Sequence, residues 1–271
     1  KKNILIIGEK GYIGSRLINE LKKFHKIKNF KISEKIDIKS YKNLKKYITK
    51  ELDIVINLSG QISQNINLMK NVIIKGNKNL IRLCKQNNVS VYYISSSLIY
   101  GYSDIPKKES SRKHPTDSYS KFKLIAEKDY LKSNMNFKII RLSNVYNGKK
   151  NGIAELLINS IKNNKKINLT NKNAYRNYIH INDTIKILSR MIKKKLNYNI
   201  YNLGYENIKL INLIRGLENK INKDIDFYDR KISLPKISSQ KIDTSRLYTE
   251  IKYKPKINIL DYITNNILKW S

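Results

Sequence analysis

The first apolar run of the chain, Asn3–Ile7, leads directly into a segment with three evenly spaced glycines, Gly8–Gly14. Glycine at these positions permits a tight turn, lets a backbone approach an anion closely and lets the next helix pack against the strand. The helix predicted over 12–24 would point its free N–H groups and partial positive charge at this turn. The segment therefore predicts a phosphate-binding turn, although an ordinary tight turn would use the same glycines. The residues assigned to the turn are Gly8, Gly11, Tyr12, Ile13 and Gly14.

Apolar runs and helical patterns continue to alternate through the first half of the chain. Further strands are predicted over 26–33, 53–58, 91–95 and 137–142, and helices over 41–50, 71–86 and 119–131. Because this alternation implies parallel strands with right-handed crossovers, we predict an α/β fold: a doubly wound parallel sheet (Rossmann) with a small, partly irregular α+β substrate-binding lobe. The dinucleotide-binding domain is predicted to comprise 1–147 plus about 172–204, and the lobe about 148–171 plus 205–271.

The chain is strongly basic, with 55 Lys and Arg against 21 Asp and Glu and a formal net charge of +34. Such a charge suits a polyanionic partner, either nucleic acid or an anionic membrane surface. The basic residues are spread along the chain, however, and lysine, asparagine and isoleucine are abundant throughout, as an AT-rich genome would encode. We therefore favour a compositional origin of the charge and keep nucleic-acid binding as an alternative.

Few side chains suit a disulfide or a metal site. The one cysteine, Cys84, excludes an internal disulfide, and His25, His114 and His180 lack the spacing of metal ligands. No apolar stretch approaches the length that spans a bilayer. We therefore expect a cytoplasmic protein with no metal and no membrane partner.

A tyrosine and a lysine four residues apart, Tyr119 and Lys123, share one face of a predicted helix. A tyrosine with its ordinary pKa of about 10 is a poor base at neutral pH, but a neighbouring ammonium, together with the positive charge of a nicotinamide, favours the phenolate. The spacing Tyr-x-x-x-Lys occurs five times in the chain, so the spacing alone decides nothing. Tyr119 is singled out because it follows a strand that ends in Ser95–Ser97, and both would lie at the carboxyl edge of the sheet. The set predicts proton transfer at a substrate oxygen during hydride transfer.

The end of the second predicted strand lacks the acid that usually binds the ribose hydroxyls of a dinucleotide. Lys31 falls near the place of that acid, and Arg16 lies early in the first helix. Because cations suit a 2′-phosphate, the sequence favours NADP(H) over NAD(H). Glu34 is the alternative, since its carboxylate would take the role of the missing acid.

Together these segments resemble the extended short-chain dehydrogenase/reductase family, which comprises NAD(P)-dependent nucleotide-sugar epimerases, dehydratases and ketoreductases. The resemblance covers nearly the whole chain. The matching segments are 8–14, 37–38, 58–60, 95–101, 119–123, 141–146, 175–183, 199–204 and 242–247.

The resemblance implies a catalytic set of serine, tyrosine and lysine, in which Tyr119 and Lys123 match the family's catalytic pair. Counting back from the end of the serine motif makes the catalytic serine Ser96, whereas counting forward from the start of its strand favours Ser97. We assign Ser96 and keep Ser97 as the alternative.

The resemblance also implies which residues bind the cofactor and the substrate. The carboxylate of Asp37 would contact adenine, and the segment 58–60 would pass under the cofactor ribose. Beyond the glycine turn, the predicted cofactor-binding residues are Lys31, Asp37, Ile38, Leu58, Ser59, Gly60, Tyr119 and Lys123. The predicted substrate-binding residues are Ser97, Asn144 and Arg176, of which the arginine would bind a nucleotide diphosphate.

Departures from the family pattern narrow the reaction. Sugar 4,6-dehydratases carry an Asp-Glu pair directly after the catalytic serine position, where this chain has Ser97 and Leu98, so we do not expect dehydration. Asn177 stands where the family usually has aspartate, which we expect to leave Arg176 less firmly oriented. The lack of an acid at the end of the second strand is a trait that resembles the NADPH-using sugar ketoreductases.

We therefore predict a 4-ketoreductase that transfers hydride from NADPH to a keto carbon of a nucleotide-diphosphate sugar. The alternative is a nucleotide-sugar 4-epimerase with tightly bound NAD, which would use the same residues. A further alternative is a basic RNA-binding protein on a dehydrogenase-like fold. The resemblance also implies a homodimer formed through the helix that carries Tyr119.

Overall fold

The computed structural model describes residues 1–28, 36–60, 62–147, 152–230 and 239–269. Its strands are β1 (Asn3–Ile7), β2 (Lys26–Ile27), β3 (Ile54–Asn57), β4 (Ser90–Ser96), β5 (Ser103–Lys107), β6 (Phe137–Leu142), β7 (Asn144–Tyr146), β8 (Ile167–Thr170), β9 (Tyr175–His180), β10 (Ile200–Leu203), β11 (Glu206–Lys209), β12 (Phe227–Arg230) and β13 (Gln240–Ile242). Its helices are α1 (Tyr12–Leu21), α2 (Tyr41–Lys45), α3 (Ile66–Lys70), α4 (Gly76–Gln86), α5 (Ser118–Leu131), α6 (Ile153–Lys162), α7 (Ile181–Lys193), α8 (Leu210–Ile221), α9 (Ser245–Ile251) and α10 (Ile259–Leu268).

The chain forms two compact units. The first comprises Lys1–Ile99, Lys113–Arg141 and Leu188–Tyr201. The second comprises Tyr100–Arg112, Leu142–Ile187 and Asn202–Ser271. The second unit is larger than the predicted substrate-binding lobe, because it also takes in 100–112 and most of 172–204. Which unit binds a dinucleotide and which binds a substrate stays a prediction.

A six-stranded sheet with the order β10-β6-β4-β3-β1-β2 runs through the first unit. Strand β1 pairs in parallel with β2 and β3, and β3 pairs in parallel with β4. The strands β1, β3 and β4 are apolar and almost wholly buried, as is typical of parallel strands with both faces covered. The predicted α/β fold with a doubly wound sheet is therefore confirmed. Because the strand order reverses between β1 and β3, ligands are expected beyond the carboxyl ends of these two strands.

Helices α2, α3 and α5 of this unit begin at side chains that satisfy the first free N–H groups. The Asp117 carboxylate accepts a hydrogen bond from the Ser120 amide at 2.8 Å, and the Ser120 side chain bonds back to Asp117 in a capping box. This cap places Tyr119 in the first turn of α5. Similarly, the Asn65 side chain accepts from the Leu68 amide and starts α3.

Two helices differ most from their predicted lengths. The helix predicted over 71–86 begins earlier, at Ile66, because Asn65 caps it, and a π-helical turn at Asn71–Lys75 joins α3 to α4. The helix predicted over 41–50 ends at Lys45. The predicted second strand is seen only as the two residues of β2, and 29–35 lie outside the described residues.

The second unit is more regular than predicted. A five-stranded sheet has the order β11-β9-β13-β5, with β7 paired to β9, and β12 pairs with β8 in a separate ribbon. Buried leucines and isoleucines of α6, α8 and α10 form the core of this unit. Helices α8 and α10, which were not predicted, each present an apolar face that lies among lysines and asparagines in the sequence beyond 205.

An ion pair buried in the first unit ties α5 to β6. The Arg141 guanidinium donates to both carboxylate oxygens of Glu127, at 2.7–3.2 Å, and both side chains are only 1% exposed. The Ser95 hydroxyl at the end of β4 donates to the same carboxylate at 2.6 Å. A buried pair of this kind is stable only while both partners are present, since either charge alone would be left without compensation.

Replacing Glu127 by alanine tests this pair. We expect Glu127→Ala to lower the free energy of unfolding by about 3–5 kcal/mol, because the Arg141 charge stays buried without its partner. Urea denaturation measures the change. The matched control is Glu20→Ala, which breaks the exposed Lys23–Glu20 pair and should cost no more than about 1 kcal/mol. Equal losses in the two variants would contradict a structural role for the buried pair.

Candidate active site

The glycine turn between β1 and α1 is too tight for any larger side chain at its last position. Gly8 has φ +89°, and the Gly11 amide donates to the Gly8 carbonyl at 3.0 Å. A Cβ on Gly14 would lie 2.2 Å from that same carbonyl oxygen, well inside contact distance. No side chain among the described residues caps the start of α1. The turn therefore brings a bare helix N-terminus to the switch point of the sheet, an arrangement suited to an anion.

The segment that ends β3 lies directly beside this turn. The Leu58 amide donates to the Ile7 carbonyl at 2.9 Å, and a Cβ on Gly8 would lie 3.3 Å from the Leu58 carbonyl carbon. Gly60 has φ +90°, and a Cβ there would lie 2.6 Å from a side-chain carbon of Ile73. The structure thus brings the predicted segment 58–60 and the glycine turn together at one sheet edge.

Lys123 joins this edge from α5. Its side chain is 2% exposed, and its ammonium donates to the Ile94 carbonyl at 2.8 Å and to the Ser59 carbonyl at 3.2 Å. Burial lowers the pKa of Lys123 to about 7, and the negative charge of Glu127 opposes part of that fall. The lysine is therefore held in place by backbone carbonyls from the ends of β3 and β4.

Tyr119 lies on the same helix, one turn before Lys123, and the nearby Ser96 side chain acts to lower the pKa of its hydroxyl. Ser96 is buried at the end of β4, whereas Ser97 opens the short 3₁₀ turn that follows. Ser96 is thus the serine near Tyr119, and the choice of Ser96 or Ser97 as the catalytic serine stays a prediction. The catalytic roles of Ser96, Tyr119 and Lys123 stay predictions.

Lys123 alone does not lower the pKa of Tyr119, and the expected effect of the lysine together with a bound nicotinamide stays a prediction. Burial raises the pKa of Tyr119 to about 12, the charge of Asp117 adds to the rise, and the hydrogen bond with Ser96 opposes it. The Lys123 ammonium lies 5.6 Å from the centre of the Tyr119 ring and directs its hydrogen bonds to backbone carbonyls. The sequence argument counted the ammonium but not the burial of the phenol.

The predicted adenine-binding pair is partly placed by the structure. Ile38 is buried against Gly76 at the start of α4, where a Cβ would lie 2.8 Å from the isoleucine side chain. The half-exposed Asp37 carboxylate accepts from the Lys39 amide at 3.0 Å. The arginine considered for a 2′-phosphate, Arg16, bonds the Tyr12 carbonyl and stacks on the Tyr12 ring.

Two residues of the cofactor argument, Lys31 and Glu34, lie outside the described residues. The structure therefore leaves the choice between NADP(H) and NAD(H) as a prediction.

The predicted substrate residues Asn144 and Arg176 belong to the second unit. The Asn144 amide donates to the Asn177 carbonyl, and the Arg176 guanidinium donates to the Tyr175 carbonyl, both at 2.9 Å. Burial lowers the pKa of Arg176, although nearby tyrosines oppose this. The Asn177 side chain accepts from the Tyr205 amide and donates to Asn207. An aspartate at 177 could not make that donation, so asparagine fits its place between β9 and β11.

Several buried polar side chains near Lys123 were not predicted from the sequence. Glu127 follows Lys123 by one further helical turn, so a search for charged residues at helical spacing would have found it. Its partners Ser95 and Arg141 come from β4 and β6, and the polar side chains Asn57 and Asn77 lie fully buried near Ser59. Within a single sequence no local pattern marks these long-range partners.

Two searches of the described residues gave negative results. Across the described ranges, no helix has both the length and the apolar character needed to cross a membrane. The same ranges contain no group of three or more His, Cys, Asp or Glu side chains that could hold a metal ion.

Comparison with known proteins gives a consistent set of relatives. A model of the NAD dependent epimerase/dehydratase family matches residues 4–204. A dTDP-D-glucose 4,6-dehydratase of Dictyostelium discoideum is 30% identical over 257 residues, covering 75% of this chain but only 58% of that protein. Protein CapI of Staphylococcus aureus is 23% identical, covering 98% of this chain and 97% of its own length.

Solved structures share the fold at low identity. The RMD protein of Pseudomonas aeruginosa, complexed with NADPH, has a TM-score of 0.82 and 18% identity, covering 100% of this chain and 99% of its own. The UDP-glucuronic acid 4-epimerase of Bacillus cereus, complexed with UDP-glucuronic acid and NAD, has a TM-score of 0.81 and 19% identity. The match covers 99% of this chain and 100% of the epimerase chain. These likenesses concern the fold.

The lowered pKa of Lys123 predicts how stability depends on pH. Between pH 7 and 10 the unfolded chain binds more protons at this lysine than the folded protein does, so the free energy of unfolding rises with pH. We expect wild type to gain up to about 1.4 kcal/mol per pH unit relative to Lys123→Met over this range. Urea denaturation at several pH values measures the difference. A control variant, Lys121→Met on the exposed side of α5, should keep the wild-type slope, and a wild-type slope in Lys123→Met would contradict the prediction.

Proposed function

The chain belongs to the NAD dependent epimerase/dehydratase family, and from this premise we propose that it is an NAD(P)-dependent oxidoreductase that reduces a 4-keto nucleotide sugar. The proximity of Ser96 to Tyr119, one helical turn from Lys123, supports the proposal most directly. Ser96 ends β4, and Lys123 bonds the Ser59 carbonyl, which follows β3 on the sheet edge of the glycine turn. Fold alone would not decide between the reactions that such a sheet supports.

The glycine turn fits a dinucleotide. Gly14 leaves no room for a Cβ, and no side chain among the described residues caps the N-terminus of α1. Both features suit the close approach of a pyrophosphate. We propose that Gly8, Gly11 and Gly14 bind the pyrophosphate, with Tyr12 and Ile13 in the same turn. Asp37 and Ile38 would hold the adenine end, and Leu58, Ser59, Gly60 and Lys123 the ribose of the nicotinamide end. When bound, a nicotinamide supplies the hydride donor or acceptor.

We prefer NADP(H) to NAD(H), on the sequence argument from Lys31. The relatives do not decide this choice, since RMD is complexed with NADPH and the Bacillus cereus epimerase with NAD.

Tyr119 is proposed to protonate the sugar oxygen. With its pKa raised to about 12, the phenol keeps its proton at neutral pH and yields it to an oxygen that becomes a strong base as hydride arrives. Ser96 would donate a hydrogen bond to the same oxygen and polarise the keto group. Lys123 would fix the ribose and, when protonated, favour the phenolate that remains. A tyrosine that is protonated at the start suits reduction better than it suits oxidation.

Dehydration is not part of the proposal, although one relative is a 4,6-dehydratase. Elimination of water needs an acid and a base beside the serine, and the next two residues here are Ser97 and Leu98.

We propose a nucleotide-diphosphate sugar as substrate. Arg176 is proposed to bind the diphosphate, and Asn144 and Ser97 the sugar. The second candidate reaction is 4-epimerisation with retained NAD, which the epimerases among the relatives favour. An epimerase should carry bound NAD when purified and need no added cofactor, whereas a reductase should consume NADPH in proportion to keto sugar.

A homodimer is proposed as well. Helix α5 exposes two large apolar side chains, Ile125 at 40% and Leu131 at 51%. A second copy of the same helix would cover them, as isologous interfaces do.

Turnover with a 4-keto nucleotide sugar tests the proposed reaction. We expect wild type to oxidise NADPH, and Tyr119→Phe to reduce kcat by about 10²–10⁴-fold because the proton donor is lost. The loss of reduced-nicotinamide absorbance measures the rate. Binding of the cofactor should be retained in the variant.

The matched control is Tyr41→Phe, because Tyr41 opens another Tyr-x-x-x-Lys sequence but lies on α2 and bonds Gln86. It should turn over at the wild-type rate. Full activity of Tyr119→Phe, or no NADPH consumption by wild type with any keto sugar, would contradict the proposed reduction.

A further inference from the structure

A line of buried hydrogen bonds leads from the Tyr130 hydroxyl to the backbone of Ser59. The hydroxyl donates to the side-chain oxygen of Asn77 at 2.7 Å, and the Asn57 amide donates to the same oxygen at 2.9 Å. The Asn57 oxygen in turn accepts from the Ser59 amide at 3.0 Å and from the Ser59 hydroxyl at 2.6 Å. Tyr130, Asn77 and Asn57 are each 0% exposed.

The orientation of both amides is fixed by their partners. The Asn77 oxygen accepts two hydrogen bonds, and its nitrogen donates to the Ile73 carbonyl at 2.6 Å within the π-helical turn. A flipped amide would lose all three. The same turn places the Ile73 side chain against Gly60, where it leaves no room for a Cβ. The segment that follows β3 is therefore held by Asn57 on one side and by Ile73 on the other.

The far end of this line is the Ser59 carbonyl, which accepts from the Lys123 ammonium at 3.2 Å. Buried polar side chains gain little net stability over apolar ones of similar size, but a fully satisfied network specifies one geometry. A carbonyl dipole aimed at an ammonium favours the charged form of that group. A fixed Ser59 carbonyl therefore influences both the place of the lysine nitrogen and its protonation.

We propose that Asn57, Asn77 and Tyr130 are positioning residues that hold the Ser59 carbonyl on the Lys123 ammonium. The inference rests on the proposed function to the extent that Lys123 serves the reaction. None of the three residues touches the reacting atoms in this proposal, and they act through Ser59.

Two tyrosines that stack on each other provide a matched pair of variants. Tyr93 and Tyr130 are both 0% exposed, and their ring centres lie 5.1 Å apart. The Tyr130 hydroxyl donates to Asn77, whereas the Tyr93 hydroxyl has no hydrogen-bond partner among the described residues. Tyr130→Phe and Tyr93→Phe therefore each delete one buried hydroxyl and keep the ring, but only the first cuts the line to Ser59.

The direct readout is the titration of Lys123, followed by the ¹³Cε chemical shift of the labelled protein without cofactor. We expect Tyr130→Phe to lower the titration midpoint by roughly half a pH unit or more, because a loosened Ser59 carbonyl favours the ammonium less. Tyr93→Phe should leave the midpoint unchanged. Equal midpoints in wild type and Tyr130→Phe would overturn the proposal.

Activity supplies a second readout. We expect Tyr130→Phe to lower kcat by roughly 3–10-fold and to leave KM for the sugar unchanged. The alkaline limb of the pH profile of activity should move to lower pH. Loss of stability alone would not move the pH profile. If wild type turns over no sugar, the proposed function fails while the titration of Lys123 still decides the positioning role.

Ser59→Ala serves if Tyr130→Phe does not fold. This change deletes the half-buried hydroxyl that donates to the Asn57 oxygen. It keeps the hydrogen bond from the Ser59 backbone amide to the same oxygen. We expect a smaller shift of the Lys123 midpoint in the same direction, and no shift would overturn the proposal.

Discussion

The first unit depends on one buried ammonium. Lys123 reaches from α5 to carbonyls at the ends of β3 and β4, and so connects a helix to two neighbouring strands at the switch point of the sheet. A charge removed from water is tolerated only where hydrogen bonds replace its hydration. The two carbonyls and the negative charge of Glu127 replace part of the lost hydration. Because the replacement is incomplete, the pKa of Lys123 falls to about 7. The ammonium bonds the Ser59 carbonyl and lies 5.6 Å from the centre of the Tyr119 ring. The segment that contains Ser59 lies beside the glycine turn.

The sequence predicted those parts that depend on local pattern. The turn at Gly8–Gly14 follows from glycine spacing after an apolar run, and the place of Ser96 at the end of β4 follows from the serine motif. The partners of Lys123 were not predictable in this way, because the carbonyls it bonds lie 29 and 64 residues away in the chain. A carbonyl oxygen belongs to every residue, so no residue type marks it. The line from Tyr130 to Ser59 was not predictable because Tyr130, Asn77 and Asn57 lie far apart in the chain.

In the protein without cofactor, burial outweighs the effect of Lys123 on the pKa of Tyr119. The ammonium and the phenol share a helix face, as their spacing requires, but burial determines the protonation of each. Burial disfavours the phenolate and the ammonium alike, so the pKa of the tyrosine rises and that of the lysine falls toward neutrality. The two groups therefore start closer to a neutral pair than to an ion pair. That starting state suits a tyrosine that gives a proton, which is the direction of a reduction.

The central claim is that the glycine turn, the segment 58–60 and Lys123 form one dinucleotide site. Calorimetric titration of the folded protein with NADPH and with NAD tests it most directly, with Gly14→Ala as the comparison. The account predicts that wild type binds one dinucleotide per chain and that Gly14→Ala, which places a Cβ 2.2 Å from the Gly8 carbonyl oxygen, loses that binding while still unfolding cooperatively. Binding of neither dinucleotide by folded wild type, or equal binding by Gly14→Ala, would contradict it.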